Sequence, residues 1–327
     1  MKISALIRTT LLILVAAVTG FTAAAEQWAQ PKVSVAILRS EPRHAAEQVS
    51  QVVMGTPLKV IKSGREWWQV ETPEGYTGYI RNNTLTPLSD GEMAQWRKSR
   101  RGVVTADRTI YVTVTPTADE LADRVTDIVS GSIVRIGDVT PDSTSGIISG
   151  DNAGDVITSI ILPDGRKGYL PARYLKPIEQ WADQNWDATK LPSYASRLMG
   201  TPYVWGGTST KGMDCSGLTQ ITAYRYGVLL PRDASQQIKV GAVVDKSRPA
   251  DFKAGDLLFF GNVNTGRVTH VAISQGGYDY IHSSARVRQS SLDPASPLYE
   301  NPGLIGVRRI DKTTAGKLAL KSHPWYF

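Results

Sequence analysis

The chain carries one cysteine, Cys215, and four histidines, His44, His270, His282 and His323. Cys215 sits in Asp214-Cys215-Ser216-Gly217, directly ahead of the apolar run Leu218 to Tyr226, with Gly227 just past its end. That pattern predicts a helix over Cys215 to Tyr226 with the cysteine in its first turn. Unsatisfied N–H groups and the positive dipole end gather there and favour thiolate over thiol, the setting of a nucleophile. Such a sulfur needs a base. His270 lies in the strand-like run Val268 to Ser274 and His282 in Tyr278 to Ser283, with Gly276-Gly277 between them. A three-residue loop, Gln275 to Gly277, places His270 opposite His282 on one sheet face with Cβ atoms about 5 Å apart. A two-residue loop would put them on opposite faces. The chemistry of this set is attack by sulfur on an acyl carbon, one histidine acting as base and the other orienting it. The plainer alternative is a small buried thiol beside two unrelated core histidines. His44 and His323 lack cysteine or carboxylate neighbours at ligand spacing and are expected at the surface, so neither a metal nor another cofactor is called for.

The elements that must hold these residues follow from composition and period. At 327 residues, with 41% hydrophobic and 20% charged residues, the chain is long enough for two or three packed domains and unlike a disordered or fibrous protein. Lys2 and Arg8, the apolar stretch Leu11 to Val18 and Ala23-Ala24-Ala25 read as a secretory leader over residues 1–25, too short for a comfortable membrane span. No cysteine near the cleavage site offers a lipid anchor, so a periplasmic or secreted protein is expected, with no stable membrane insertion after cleavage. A lone thiol in an oxidising compartment cannot form an internal disulfide, which strengthens the case for reactivity. Lys plus Arg is 37 against Asp plus Glu 30, a formal charge of +7. The cations are scattered, which suits an anionic wall surface and argues against nucleic acid as a partner.

Residues 27 to about 180 contain short β-branched runs punctuated by Gly, Pro, Asp and Asn, and two stretches repeat. Pro73-Glu74-Gly75-Tyr76-Thr77-Gly78-Tyr79-Ile80 parallels Pro163-Asp164-Gly165-Arg166-Lys167-Gly168-Tyr169-Leu170, and Gly55 to Val60 parallels Gly131 to Ile136. Unequal offsets imply an insertion in the second copy, placed at Asp142 to Asp155. Two divergent β-barrel-like modules are expected, at 27–98 and 99–180, and they resemble bacterial SH3-like domains. The connectors Asp90 to Arg101 and Lys176 to Asp187 carry Trp96, Trp181 and Trp186, large apolar groups expected to pin the modules together. From about 188 to 327 the period changes to a helix over Pro192 to Met199, the Cys215 helix, and strands at Asp256 to Phe260, Val268 to Ser274, Tyr278 to Ser283 and Leu304 to Ile310. Helices followed by runs of strands read as α+β.

Residues Tyr194 to about Arg309 resemble the NlpC/p60 family of papain-like cysteine peptidases, which hydrolyse cell-wall peptides. The resemblance rests on Gly200 to Gly207, Asp214 to Leu218, Leu230-Pro231-Arg232-Asp233, the Gly-Asp-Leu core of Pro249 to Phe260, Thr269-His270-Val271-Ala272 and Ile281-His282. It implies Cys215 as nucleophile, His270 as base, His282 as polar third member and Tyr203 beside the nucleophile, with the Cys215 N–H and the Tyr203 hydroxyl facing the oxyanion. Asp214 and Ser216 are counted with the substrate contacts. The fold so implied is multidomain, two small all-β SH3-like barrels followed by an α+β papain-like domain. The layout also resembles the γ-D-glutamyl-L-diamino-acid endopeptidases, in which an acid and a tyrosine of the first SH3-like domain join an acid of the catalytic domain around a free N-terminal L-alanine. By alignment these are Glu41, Tyr76 and Asp233, with Ala234 where that group has a polar residue. The implied partners are murein stem peptides, L-Ala-γ-D-Glu-diamino acid. Two alternatives stay open: a general peptidoglycan endopeptidase or amidase on the same fold, and a non-catalytic wall-binding protein.

Overall fold

In the computed structural model, residues 27–119, 121–137, 147–148 and 156–327 are described. The leader and all but residues 147–148 of the Asp142 to Asp155 insertion lie outside them. Seven strands form the first sheet: β1 (Gln27–Pro31), β2 (Val35–Arg39), β3 (Gln48–Val53), β4 (Leu58–Lys62), β5 (Trp67–Glu71), β6 (Thr77–Arg81) and β7 (Leu85–Leu88). Their order is β3-β2-β6-β5-β4-β1-β7. Alternate residues Ala36 and Leu38, Val52, Leu58, Val70 and Ile80 turn inward to make its core, the period-2 burial of a sheet with one face inside.

A capped helix, α1 (Asp90–Lys98), leads to the second sheet, with Ser89 and Glu92 forming a reciprocal capping box. That sheet contains β8 (Arg101–Val104), β9 (Ile110–Thr113), β10 (Arg124–Ile128), β11 (Ile133–Ile136), β12 (Ile147–Ile148), β13 (Ile157–Ile161), β14 (Lys167–Pro171) and β15 (Leu175–Pro177). Its order, β10-β9-β14-β13-β11-β8-β15, repeats the first strand for strand, and β12 is added beside β13. The shared Pro-acid-Gly turns also match. Gly75 and Gly165 both hold positive φ, 79° and 85°, and each donates to the carbonyl three residues back, Thr72 and Leu162, at 2.9 Å. Only glycine takes that backbone shape without strain.

The third unit follows α2 (Ile178–Ala182) and comprises α3 (Leu191–Arg197), the short pair β16 (Thr208–Ser209) and β17 (Gly212–Met213), α4 (Cys215–Tyr224), α5 (Ala234–Gln237), β18 (Ala242–Val244), β19 (Leu257–Asn262), β20 (Arg267–Gly276), β21 (Asp279–Ser284), β22 (Arg286–Ser291), β23 (Leu304–Arg309) and α6 (Lys312–Lys317). The short β18 and the five long strands form one antiparallel sheet, β18-β23-β19-β20-β21-β22. Leu257, Phe259, Val271, Ile273 and Ile281 pack with Leu191, Ala195 and Leu218 of α3 and α4. Phe260, Ala272 and Tyr280 make a second cluster.

Connector tryptophans are buried where the three units meet: Trp96 and Trp181 pack with Trp28, Ile133 and Tyr326, and Trp186 donates to the Ile310 carbonyl at 2.6 Å. His323 departs from its expected surface position. It is half-buried, and its Nε2 lies 2.9 Å from the Pro73 carbonyl, tying the C-terminal tail to the first sheet's turn. His44 is exposed. Among the described residues no helix is long and apolar enough to cross a membrane.

Candidate active site

Asp214 is the N-cap of α4, its Oδ1 accepting from the Gly217 amide at 2.7 Å, so Cys215 is the first helical residue. The thiol is 8% exposed and receives the Val271 and Ser216 amides. It therefore lies against the strand that carries His270. The expectation of a resting thiolate is not met: burial, then the Asp214 carboxylate, push the thiol up to about 11, against the two amides and Arg232. Desolvation of the charged form outweighs the helix terminus here.

His270 Nε2 and His282 Nδ1 are 2.8 Å apart, with ring centroids at 5.0 Å. The hairpin reaches this contact by another route than the one expected. Its loop has two residues, Gly277 and Tyr278, and a bulge between Ser274 and Gly276 adds Gln275. The extra residue restores the parity that a two-residue loop alone would reverse. The paired register runs through Ile273↔Ile281, so His270 stands diagonally to His282 rather than opposite it. His282, 1% exposed, is backed by β22, where Ser290 Oγ lies 3.1 Å from its Nε2. Burial pushes His270 down to about 4 and His282, also facing His270 and Arg288, down to about 3. Both rings are thus neutral at neutral pH, and Nδ1 of His270 is the nitrogen left for the thiol proton.

A stability consequence follows with a definite sign. Between pH 6.5 and about 4 the unfolded chain binds protons on these histidines and the folded chain does not. Stability is therefore expected to fall as pH falls through that window, at the steepest by about 1.4 kcal/mol per pH unit for each histidine. Urea midpoints from pH 7.5 to 4.5 check this; a wild-type slope no steeper than that of His282→Asn would contradict it.

Tyr203 is held by its amide on the Ala285 carbonyl at 2.9 Å. Its hydroxyl is pushed up to about 12 by burial and by the nearby Cys215 and Asp214, so it stays a protonated donor beside the sulfur. Asp214 and Ser216, expected among the substrate contacts, have buried side chains committed to partners within the protein. Asp214 accepts from the Gly206 and Gly217 amides, from Ser216 Oγ and from both terminal nitrogens of Arg232. Ser216 Oγ in turn accepts from Arg232 at 2.8 Å. Arg232, 1% exposed, also reaches Ser50 Oγ of the first sheet at 3.0 Å. The cap of α4 is thereby fastened to the first β-module.

The same seam assembles a second group of charges. Tyr76 donates its hydroxyl hydrogen bond to Asp233, and the carboxyl of Asp233 is raised by burial, Asp214 and Glu47 against the pull of Arg232 and Tyr76. Glu41 is not part of it: it pairs with Arg43 at 2.9 Å. The first-module acid that acts on Tyr76 and Asp233 is Glu47, which accepts from Trp205 Nε1 at 2.8 Å. Gln48 donates to the Trp205 carbonyl and Gln51 joins Thr208 and Ser209 across the seam. Glu41 and Glu47 flank one turn before β3, and only the docking of β3 on residues 205–209 distinguishes them. Arg232, Glu47 and Trp205 were not singled out by sequence; the Leu-Pro-Arg-Asp and Tyr-Val-Trp-Gly runs contain two of them, without a signal of what they touch.

A thiol at a helix start, lying against a strand that carries one of a neutral imidazole pair, is an arrangement suited to a cysteine hydrolase. The NlpC/P60 family profile matches residues 200–309 and the bacterial SH3 domain profile residues 34–86. The chain is 30% identical over 271 residues to dipeptidyl-peptidase 6 of Lysinibacillus sphaericus, covering 81% of this chain and 92% of that one. It is 43% identical over 134 residues to the gamma-D-glutamyl-L-lysine dipeptidyl-peptidase of Bacillus subtilis, 41% of this chain and 43% of that one. The crystal structure of an NlpC/P60 family protein from Bacillus cereus superposes with a TM-score of 0.68 at 22% identity, covering 86% of this chain and 99% of that chain. The chain belongs to the NlpC/P60 family of cysteine peptidases.

Proposed function

We propose that this peptidase hydrolyses the γ-D-Glu to L-diamino-acid bond of murein stem peptides whose N-terminal L-alanine is free. The observation that carries the reading is the group at the seam, the half-buried Tyr76 and Asp233 with the exposed Glu47 carboxylate acting on both. A carboxylate such as Asp233, whose proton affinity is raised by burial and neighbouring negative charge, is relieved by a substrate ammonium, and a charge-assisted contact of this kind orients as well as binds. The first module, docked on residues 205–209, would block a chain extending beyond that amine. In the chemical step His270 takes the Cys215 proton as sulfur adds to the amide carbon. The Cys215 N–H and the Tyr203 hydroxyl face the oxyanion, and His270 returns the proton to the leaving amine before water releases the thioester. The names of the Lysinibacillus and Bacillus relatives support the γ-glutamyl bond and the two-residue product.

The reading extends to organisation and place. The repeated strand order supports a second SH3-like barrel over 99–180, after one over 27–98 and before a catalytic domain over 188–327. A cleaved leader over 1–25 would deliver the enzyme to the periplasm or the exterior, where its substrate is. L-Ala-γ-D-Glu-L-Lys and its N-acetyl form, digested side by side and followed by mass spectrometry, test the assignment. The free peptide is expected to be cut and the acetylated one hardly at all. Glu47→Gln should lower kcat/KM on the free peptide by about tenfold or more, and Glu41→Gln should leave it unchanged. Equal cleavage of both peptides would make the enzyme a general wall endopeptidase.

A further inference from the structure

Behind the histidine pair a polar chain continues past the catalytic groups to the protein surface. His282 Nε2 lies 3.1 Å from Ser290 Oγ, Ser290 Oγ lies 3.1 Å from Glu300 Oε2, and Arg288 donates to Ser290 Oγ at 2.9 Å and to Glu300 Oε2 at 2.6 Å. Tyr280 donates to the Glu300 carbonyl at 2.6 Å, which holds the glutamate's backbone. We propose that Glu300, with Arg288 and through Ser290, is a positioning residue that sets the tautomer of both histidines and so leaves Nδ1 of His270 free as the base. The proposal rests on the reading of Cys215 and His270 as nucleophile and base.

Proton counting carries it. The Glu300 carboxylate only accepts and Arg288 only donates, whereas Ser290 has one proton to give. Its rivals for that proton are an ionised oxygen and a neutral ring nitrogen at the same 3.1 Å. The charge-assisted bond is about twice as strong, so Ser290 donates to Glu300. Tyr280 also faces Ser290, and its own proton is committed to the carbonyl. Ser290 must then accept from His282, which puts the His282 proton on Nε2. A neutral imidazole has a single N–H, so His282 Nδ1 accepts, and at 2.8 Å its donor is His270 Nε2–H. His270 is left with its lone pair on Nδ1.

With the polarity reversed, Ser290 would donate to His282 Nε2, His282 Nδ1–H would point at His270 Nε2, and His270 would carry its proton on Nδ1. No base would remain beside the sulfur. One acidic residue three hydrogen bonds from His270 thus decides whether the resting enzyme is competent. The same negative charge favours the imidazolium that forms as the thiol gives up its proton.

Glu300→Gln tests this, because an amide can donate to Ser290 and so permits the reversed polarity. Wrong tautomers in hydrolase triads cost up to about 10⁴-fold in kcat. One relay step further out, a fall of about 10- to 100-fold in kcat is expected, with KM within about twofold. Histidine ¹⁵N spectra of the full enzyme should show Nε2–H for both rings in the wild type and a Nδ1–H population at His270 in the variant. Ser290→Ala, which removes the relay without touching Glu300, should give the same two changes and serves if Glu300→Gln folds poorly. Unchanged tautomers and kcat in both variants overturn the proposal while leaving the catalytic pair standing. An active His270→Ala protein would instead remove the base assignment beneath it.

Discussion

Cys215→Ser is expected to abolish hydrolysis, lowering kcat on stem peptides by about 10³-fold or more, while leaving the melting temperature within a few degrees of wild type. The geometry makes a harsh setting for the substitution. The pocket already pushes the thiol up to about 11, and the waiting base has been pushed down to about 4. A thiol bridges that gap because sulfur is strongly nucleophilic as its proton leaves, but a serine hydroxyl begins several units further away. The Val271 and Ser216 amides that reach the sulfur still find an oxygen acceptor, so folding has little reason to change. Mass analysis of digests beside a thermal melt separates the two effects. A Cys215→Ser protein with a tenth of wild-type activity would place the nucleophile elsewhere.

Much of this arrangement was legible because its causes are local. A cap-like Asp214 before an apolar run specifies a helix start, and the recurring Pro-acid-Gly turn specifies the same hairpin in both β-modules, down to the positive φ of Gly75 and Gly165. The helix over Cys215–Tyr224 ended two residues earlier than its hydrophobic period suggested, with Gly227 at positive φ beyond it. The hairpin bulge was not legible. Gly276 and Gly277 announce a turn, but its length is decided by how β20 sits on β19, where a second bulge falls between Phe260 and Gly261.

Strand β22 was missed for a related reason. Arg286-Val287-Arg288-Gln289-Ser290-Ser291 has no apolar alternation, since its polar side chains are spent on His282 and Glu300, and the tight turn before it uses a non-glycine residue, Ala285, at φ 59°. Its backbone is specified by pairing with β21 and by the 200–203 segment on its other edge. Alignment by local motif points to Glu41 because it cannot see which carboxylate faces another module. Contacts between modules are set by shape over more than 150 residues of separation, as in Trp205 to Glu47, and no local pattern encodes them.

Arg232 is the clearest case of a residue whose weight comes from the assembled molecule, and Arg232→Ala is expected to cost about 3 to 5 kcal/mol of stability. Its guanidinium, 1% exposed, sits at 2.5 Å and 3.2 Å from the two Asp214 oxygens, at 2.8 Å from Ser216 Oγ and at 3.0 Å from Ser50 Oγ. Alanine leaves a buried carboxylate without its counter-charge, keeping only the Gly206 and Gly217 amides and Ser216 Oγ as donors. At roughly 2 to 4 °C per kcal/mol the melting temperature should fall by about 10 °C. Two further readouts set a lost ion pair apart from simple loss of volume. Pairing Arg232→Met with Asp214→Asn removes both charges and should recover a large part of the loss, because a buried pair replaced whole is far cheaper than one half removed. Since Arg232 also holds the thiol down against burial and Asp214, the rate of Cys215 alkylation should shift to higher pH in Arg232→Ala. A melt within 2 °C of wild type, or a double variant no better than the single one, would show that the seam between the first β-module and α4 is held by packing alone, with Arg232 a passenger on it.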